Sequence, residues 1–285
     1  MRLIFFLILL IPPLHFSQTD EFNFHSPENI KKFADYLYCE KDYLRANLEY
    51  QKLDNISESD TLNFKTGLGY LYIGDYSNSI QKLSDITPAS VFFDEANLQA
   101  LRAYFLTENY FAFRSFYNES YLNKINDYQS NGKKLFNYSY LFTDDELPSS
   151  GDFLTPFNKD EKEKVTPFYN WKNEPPNKNP ALAGIMSAVI PGSGKMYVGE
   201  WGDGIMAFIT TGLFAFLAYD NFRADHNTRA WIFTGLGAFF YAGNVYGSVA
   251  AAQIYNARIA FEFEDGLNLY LEQNNYFTPE YNFCE

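Results

Sequence analysis

The chain has 285 residues, of which 47% are hydrophobic and 20% are charged, so it holds enough apolar material for one large or two ordinary domains. Its 35 acidic residues outnumber its 22 Lys and Arg residues, and the net charge of -13 argues against nucleic acid as a partner, because phosphate backbones are bound by basic surfaces. Two cysteines, Cys39 and Cys284, cannot form a zinc site, and whether they pair is left open. We expect no metal, no cofactor and no enzymatic activity, since neither a nucleophile-base pair nor a ligand cluster is evident.

Residues 1–17 have the features of a secretory signal peptide. Arg2 precedes an uncharged apolar stretch from Leu3 to Ile11, and the small residue Ser17 follows. The alternative is a membrane anchor, but about nine apolar residues are far fewer than the roughly 20 that a spanning helix needs. Cleavage after Ser17 is expected to leave the mature N-terminus outside the cytoplasm.

Residues 18–143 are predicted to form a helical-repeat domain. Apolar residues recur there at three- and four-residue spacing, as helices require. An Asx-Tyr pair occurs three times, as Asp42-Tyr43, Asp75-Tyr76 and Asn109-Tyr110, at intervals of 33 and 34 residues. This period is typical of a helical solenoid, although a non-repeating helical bundle is the alternative.

Each copy predicts two antiparallel helices, the second of which begins at an Asp or Asn that can cap its first turn. A small residue such as Gly67 is expected where the two helices cross. Over residues 27–127 the pattern resembles the tetratricopeptide repeat family. In stacked helix pairs the first helices line a concave groove that can bind a protein or peptide partner. By the repeat alignment, the groove residues are Lys31, Asp35, Tyr38, Phe64, Leu68, Tyr72, Arg102 and Phe105.

Residues 144–178 are predicted to be a linker. Prolines are frequent in this segment and cannot continue a helix. The charge run from Asp160 to Lys164 indicates a solvated stretch, since its carboxylates lack the apolar pocket that would raise the pKa of a catalytic acid.

Residues 179–257 are predicted to be a membrane module. Uncharged runs predict two transmembrane helices at about 204–222 and 231–252, with Trp201 and Phe222 as interfacial anchors. The apolar stretch Ala181–Ile190 is too short to cross a membrane unaided, so we expect it to lie on or dip into the surface, and a third crossing is the alternative. The alternative interpretation is a soluble protein, in which all three apolar stretches would be core helices.

A glycine-rich segment precedes the first predicted span. It is not a phosphate-binding loop, because Val189 and Met196 stand where that motif needs Gly and Ser or Thr. It resembles a bacterial membrane module of unknown function, in which PGxGxxYxG is followed by a Gly and two hydrophobic helices. The glycines allow a tight reversal, whereas Lys195 and Asp203 have no evident partner. The matching residues are Pro191, Gly192, Gly194, Tyr197, Gly199 and Gly204.

Small residues at four-residue spacing are expected to pack the two spans together and could also support a homo-oligomer. Asn244 lies beside this face. The basic loop Arg223–Arg229 is expected in the cytoplasm, and the acidic tail 258–285 returns to the outside. The packing residues are Ala207, Thr211 and Ala215 on the first span, and Gly243, Gly247 and Ala251 on the second.

Together these features predict an all-α chain, with an N-terminal tetratricopeptide-like solenoid and a C-terminal transmembrane hairpin in the bacterial inner membrane, the repeats and the tail being periplasmic. The leading hypothesis is a non-enzymatic scaffold whose repeats bind a protein or peptide. In the alternative, the hairpin is the active part, as a lipid-interacting or transport-associated accessory protein that the repeats recruit to a complex.

Overall fold

The computed structural model describes residues 25–54, 59–120 and 126–284, and the predicted signal peptide lies outside these ranges. Within them the chain is helical and contains no β-strand, so the all-α class is confirmed. The chain divides into two compact units. Unit 1 runs to Ala103 and also includes the C-terminal segment from Tyr281, and unit 2 runs from Tyr104 to Glu280.

Unit 1 is built from antiparallel helix pairs. Helix α1 packs on α2, α2 on α3, and α3 on α4. Gly67 lies at the α3–α4 crossing, as predicted: a Cβ built on it would lie 2.7 Å from Leu83 Cγ, and its carbonyl accepts a hydrogen bond from Ser79 Oγ. The helices are α1 Pro27–Cys39, α2 Tyr43–Asp54, α3 Asp60–Tyr72, α4 Tyr76–Ser84 and α5 Phe93–Leu106, the last of which runs into unit 2.

The three Asx-Tyr pairs form the turns that the sequence predicted. Helices α2, α4 and α6 each begin at the Tyr of a pair. The preceding Asp42, Asp75 and Asn109 accept backbone N–H bonds from residues three positions on, at 3.2, 3.3 and 3.1 Å. These side chains satisfy amides that have no partner inside the helix.

Unit 2 joins a helical cluster to a long hairpin. Aromatic side chains form much of the cluster, where Tyr138 stacks on Phe277 and Phe168 contacts both Phe263 and Tyr270. The helices are α6 Tyr110–Glu119, α7 Asn126–Ser139, α8 Ser150–Leu154, α9 Lys159–Asn173, α10 Pro180–Val189, α11 Ser193–Tyr197, α12 Trp201–Arg223 and α13 Asn227–Gln273, followed by a 3-10 turn, Asn275–Phe277.

The segment 144–178 is not the extended linker that we expected, because it contains α8 and α9. Pro167 lies inside α9. A proline removes one backbone hydrogen bond, but α9 is held by a capping box between Asn158 and Glu161 and by the buried side chains of Val165 and Tyr169. Part of the charge run is also paired, since Glu161 accepts from Lys134 Nζ at 2.7 Å.

Among the described residues, α12 is the one helix long and apolar enough to cross a membrane, with 23 residues and a mean hydropathy of 1.4. The second predicted span lies within α13, which has 47 residues. At 1.5 Å per residue α13 is about 70 Å long, roughly twice a hydrocarbon layer. The predicted acidic tail is therefore helical as far as Gln273.

Candidate functional site

The glycine-rich motif forms the junction where α10, α11, α12 and α13 meet. Gly192 and Gly199 have φ angles of +88° and +93°, a region that favours glycine. A Cβ on Gly192 would overlap the carbonyl oxygen of Gly204, and one on Gly194 would overlap that of Ala183. A Cβ on Gly204 would lie 2.6 Å from Met196 Cγ. A side chain at Gly192 or Gly194 would therefore overlap backbone atoms, which explains why the junction requires glycine at these two positions.

A buried hydroxyl pair connects this junction to α13. Ser187 on α10 and Ser248 on α13 lie 2.7 Å apart between their Oγ atoms, and both are fully buried. Ser187 Oγ also accepts from the backbone N–H of Gly194. The Tyr197 hydroxyl accepts from the backbone N–H of Asn179 at 3.3 Å, so this motif residue ties α11 to the start of α10. Pro191 is half-buried directly before this turn.

On α13 the buried face of the hairpin includes Asn244, whereas the sequence predicted the neighbouring Gly243. Gly243 is exposed, with no atom of the described chain within 4 Å of a Cβ built on it, whereas Asn244 and Ser248 are buried. Ala251 is buried in a cluster with Ala183 of α10 and Val198, and Gly247 faces the Lys195 side chain. On α12, Ala207 and Thr211 are half-buried and Ala215 is exposed. Phe214 and Phe240 stack at 5.1 Å and form the main aromatic contact of the hairpin.

A cavity of 350 Å³ opens between α11, α12 and α13 beside the motif. Lys195 and Asp203, for which the sequence suggested no partner, both line it, with 3.8 Å between Nζ and Oδ2. Thr211 and Asn244 also line it. The exposed side chain of Phe239 forms part of the wall.

The predicted groove residues of unit 1 have different environments. Tyr38, Phe64 and Leu68 are buried, Tyr72 is 40% exposed and packs on Tyr43, and Lys31 is exposed. Asp35 and Arg102 are half-buried. Phe105 belongs to unit 2, where it packs on Tyr110 and Phe113. Partner binding by these residues stays a prediction.

The C-terminal segment of the chain lies against part of this predicted groove. Phe283 contacts the rings of Tyr38 and Phe64 at 5.9 Å, and the ammonium of Lys65 lies 4.8 Å from its centroid. Tyr281 contacts Phe64 at 5.3 Å. This docking was not predicted from the sequence, although two aromatic residues close to the last cysteine, Tyr281 and Phe283, were a signal for it.

A disulfide between Cys39 and Cys284 fastens this segment to the end of α1. The two residues are 245 positions apart, and the bond closes almost the whole chain into a loop. The pairing that the sequence left open is thus present in the structure.

Asp35 joins two polar side chains behind the docked segment. Asp35 accepts from the Tyr50 hydroxyl and from Lys65 Nζ, both at 2.6 Å. Burial raises the pKa of Tyr50 above its usual value, and the bond to Asp35 raises it further. Burial likewise raises the pKa of Tyr38, so both phenols stay neutral at physiological pH.

The described part of the chain contains no group of three or more His, Cys, Asp or Glu residues that could hold a metal ion. Compared with known protein families, with curated proteins and with solved structures, the chain matches none. The two candidate sites are the surface of unit 1 against which the C-terminal segment lies and the cavity of the hairpin.

Proposed function

We propose that this protein is a membrane-anchored scaffold of the bacterial envelope, and that unit 1 binds an aromatic peptide segment of a protein partner. One observation carries the proposal: a short segment of the chain itself, with Tyr281 and Phe283, docks on residues of α1 and α3. Aromatic side chains combine a large apolar area with few rotatable bonds, which makes them effective anchors in such surfaces. A partner segment of similar chemistry would use the same rings.

The membrane anchor is proposed from the surface of α12. Only 11% of its most apolar window is buried, whereas the core helix of a soluble protein would be mostly covered. The exposed side chains include Met206, Phe208 and Phe216, each more than half exposed. A continuous apolar face of this kind is tolerated in lipid far better than in water.

The disulfide supports a hairpin over a single crossing. Cys39 precedes α12 and Cys284 follows α13, so a bond between them requires both residues on the same side of the membrane. The number of crossings between them is then even. With α12 as one crossing, the uncharged part of α13, from Ala230 to Ala257, is the proposed second.

Peptide binding can be tested with the tail itself as the ligand. A chain ending at Glu280 and carrying Cys39→Ser should bind a fluorescent peptide of residues 278–285 that carries Cys284→Ser, as measured by anisotropy. Replacing Phe283 by Ala in the peptide should weaken binding by about tenfold or more, because a partly buried aromatic anchor is lost. Glu280→Ala in the peptide is the matched control, since Glu280 is exposed. Absence of saturable binding would refute the proposal.

A second candidate function makes the hairpin the active part, as a lipid-interacting accessory protein. The observation that favours it is the cavity beside Asn244, whose polar lining has no role in anchoring.

A further inference from the structure

The hairpin cavity contains polar groups that ordinary helix packing leaves unsatisfied. Asn244 is 6% exposed, and neither its Oδ1 nor its Nδ2 has a hydrogen-bond partner among the described residues. The Thr211 hydroxyl is also buried, and no partner for it is found in the same part of the chain. Buried polar groups are nearly always paired, so two such groups on one cavity wall indicate a place for a ligand.

The mouth of the cavity carries two opposite charges. The Lys195 side chain is 21% exposed and runs past Gly247, where a Cβ would make an ordinary van der Waals contact with its Cε at 3.4 Å. Asp203, 3.8 Å away, is 71% exposed. At this distance the two charges attract each other without a close hydrogen bond, so each can also bind a charged group of a ligand.

The charged and uncharged polar groups lie at different depths along α12. Asp203 is in the first turn, beside Trp201, and Thr211 follows eight residues later, about 12 Å along the helix. Trp and Tyr are typical of the headgroup layer of a membrane. Between the two levels, Met206 and Phe239 line the cavity with side chains that are 62% and 74% exposed. The cavity is therefore charged at one end, polar deeper down, and apolar at its open side.

We propose that this cavity binds a phospholipid with an ethanolamine headgroup, an inference that rests on the membrane placement proposed above. The lipid phosphate would bind Lys195, and its ammonium would bind Asp203. Asn244 Nδ2 and the Thr211 hydroxyl would donate hydrogen bonds to the ester carbonyl oxygens, which lie deeper than the phosphate. The acyl chains would run along Met206 and Phe239. This arrangement would pair Asn244 Nδ2, the Thr211 hydroxyl and both charges with a single amphiphile.

Native mass spectrometry of the full-length chain in detergent measures this binding directly. The probes are phosphatidylethanolamine, phosphatidylglycerol, which lacks the ammonium, and phosphatidylcholine, whose ammonium cannot donate. We expect at least a tenfold preference for the ethanolamine lipid. Soluble phosphoethanolamine should not bind, since it has no acyl chains for the apolar wall. Equal binding of the three lipids, or binding of phosphoethanolamine as tight as that of the lipid, would overturn the proposal.

Substitutions test which residues of the cavity bind the lipid. Asn244→Leu should weaken binding of the ethanolamine lipid about tenfold, and Asp203→Asn should abolish its preference over the glycerol lipid. Asn221→Leu is the matched control, since Asn221 Nδ2 donates to Leu217 O within its own helix, and its lipid binding should be unchanged. Unchanged binding in both Asn244→Leu and Asp203→Asn would overturn the site.

A folding control accompanies these measurements. Added ethanolamine lipid should raise the unfolding midpoint of the wild type and of Asn221→Leu in detergent, and it should leave that of Asn244→Leu unchanged. If Asn244→Leu does not fold, Thr211→Val takes its place with the same expected result. Alkaline carbonate extraction is the separate test of membrane placement: release of the chain refutes the proposed anchor, whereas a retained chain without lipid preference refutes only the site.

Discussion

At the scale of single residues, the same turn conformation recurs at equivalent positions. The residues before the three Asx caps are Lys41, Gly74 and Glu108, with φ angles of 61°, 79° and 59°. Only Gly74 adopts this left-handed region without steric cost, because a Cβ there approaches the following carbonyl. Two of the three copies thus use a residue that is less suitable than glycine. The left-handed turn residue thus recurs directly before each of the three Asx-Tyr pairs.

This comparison predicts opposite effects of two substitutions at equivalent positions. Glu108→Gly should raise the stability of the chain by about 0.5–1 kcal/mol, because it relieves the cost of a left-handed non-glycine residue. Gly74→Ala should lower it by a similar amount, as no atom in the described part of the chain lies within 4 Å of the added Cβ and only the backbone cost remains. Denaturant unfolding followed by circular dichroism measures both. Equal shifts of the same sign would contradict the explanation.

At the scale of elements, several helix starts could be predicted from the sequence. Segments held by contacts between residues far apart in the chain could not. The caps at Asp75 and Asn109 are local, so their spacing was sufficient. Helix α9 was not predicted because Pro167 argued against a helix. In the fold, α9 is held by a contact between Phe153 and Tyr169 and by an ion pair between Lys134 and Glu161. Such contacts join residues far apart in sequence and cannot be derived from composition.

The packing face of α13 shows the same limit. Four-residue spacing favoured Gly243, but the α10 contact through Ser187 and Ser248 helps to set the rotation of the helix, so that Asn244 faces inward. The hairpin cavity was therefore not predictable from the small-residue pattern. Asn244 can be singled out in the sequence, but its burial, which makes it a candidate binding residue, is visible only in the structure.

The motif junction gives a prediction for an element. Gly194→Ala should destabilise the packing of α11 on α10, because the added Cβ would overlap the backbone carbonyl of Ala183 and also meet Ser187 Oγ at 2.8 Å. Overpacking of this kind typically costs about 1–3 kcal/mol. Gly202→Ala is the matched control, since no atom of the described chain lies within 4 Å of its Cβ. Thermal unfolding in detergent should separate the two variants, and coincident midpoints would show that the junction is loosely packed.

At the scale of the whole molecule, the disulfide joins α1 to the end of the chain, so both must lie on the same side of any membrane that the chain crosses. A loop of this length restricts the unfolded chain strongly, and the bond is expected to contribute several kcal/mol, about 2–5 on removal. The same bond fastens Tyr281 and Phe283 beside the surface of unit 1. Reduction would therefore loosen the docked segment and make that surface more accessible to a partner.

The two-crossing topology predicts a defined pattern of thiol labelling in cells with a permeabilised outer membrane. An impermeant maleimide should label neither native cysteine before reduction and both Cys39 and Cys284 after it. In a chain with Cys39→Ser and Cys284→Ser, a probe introduced by Thr228→Cys should react only once the inner membrane is broken, because Thr228 is exposed in the first turn of α13, directly after the loop that joins α12 to α13. Labelling of Thr228→Cys from outside, or of reduced Cys284 only after rupture, would reject a hairpin with both ends outside the cytoplasm.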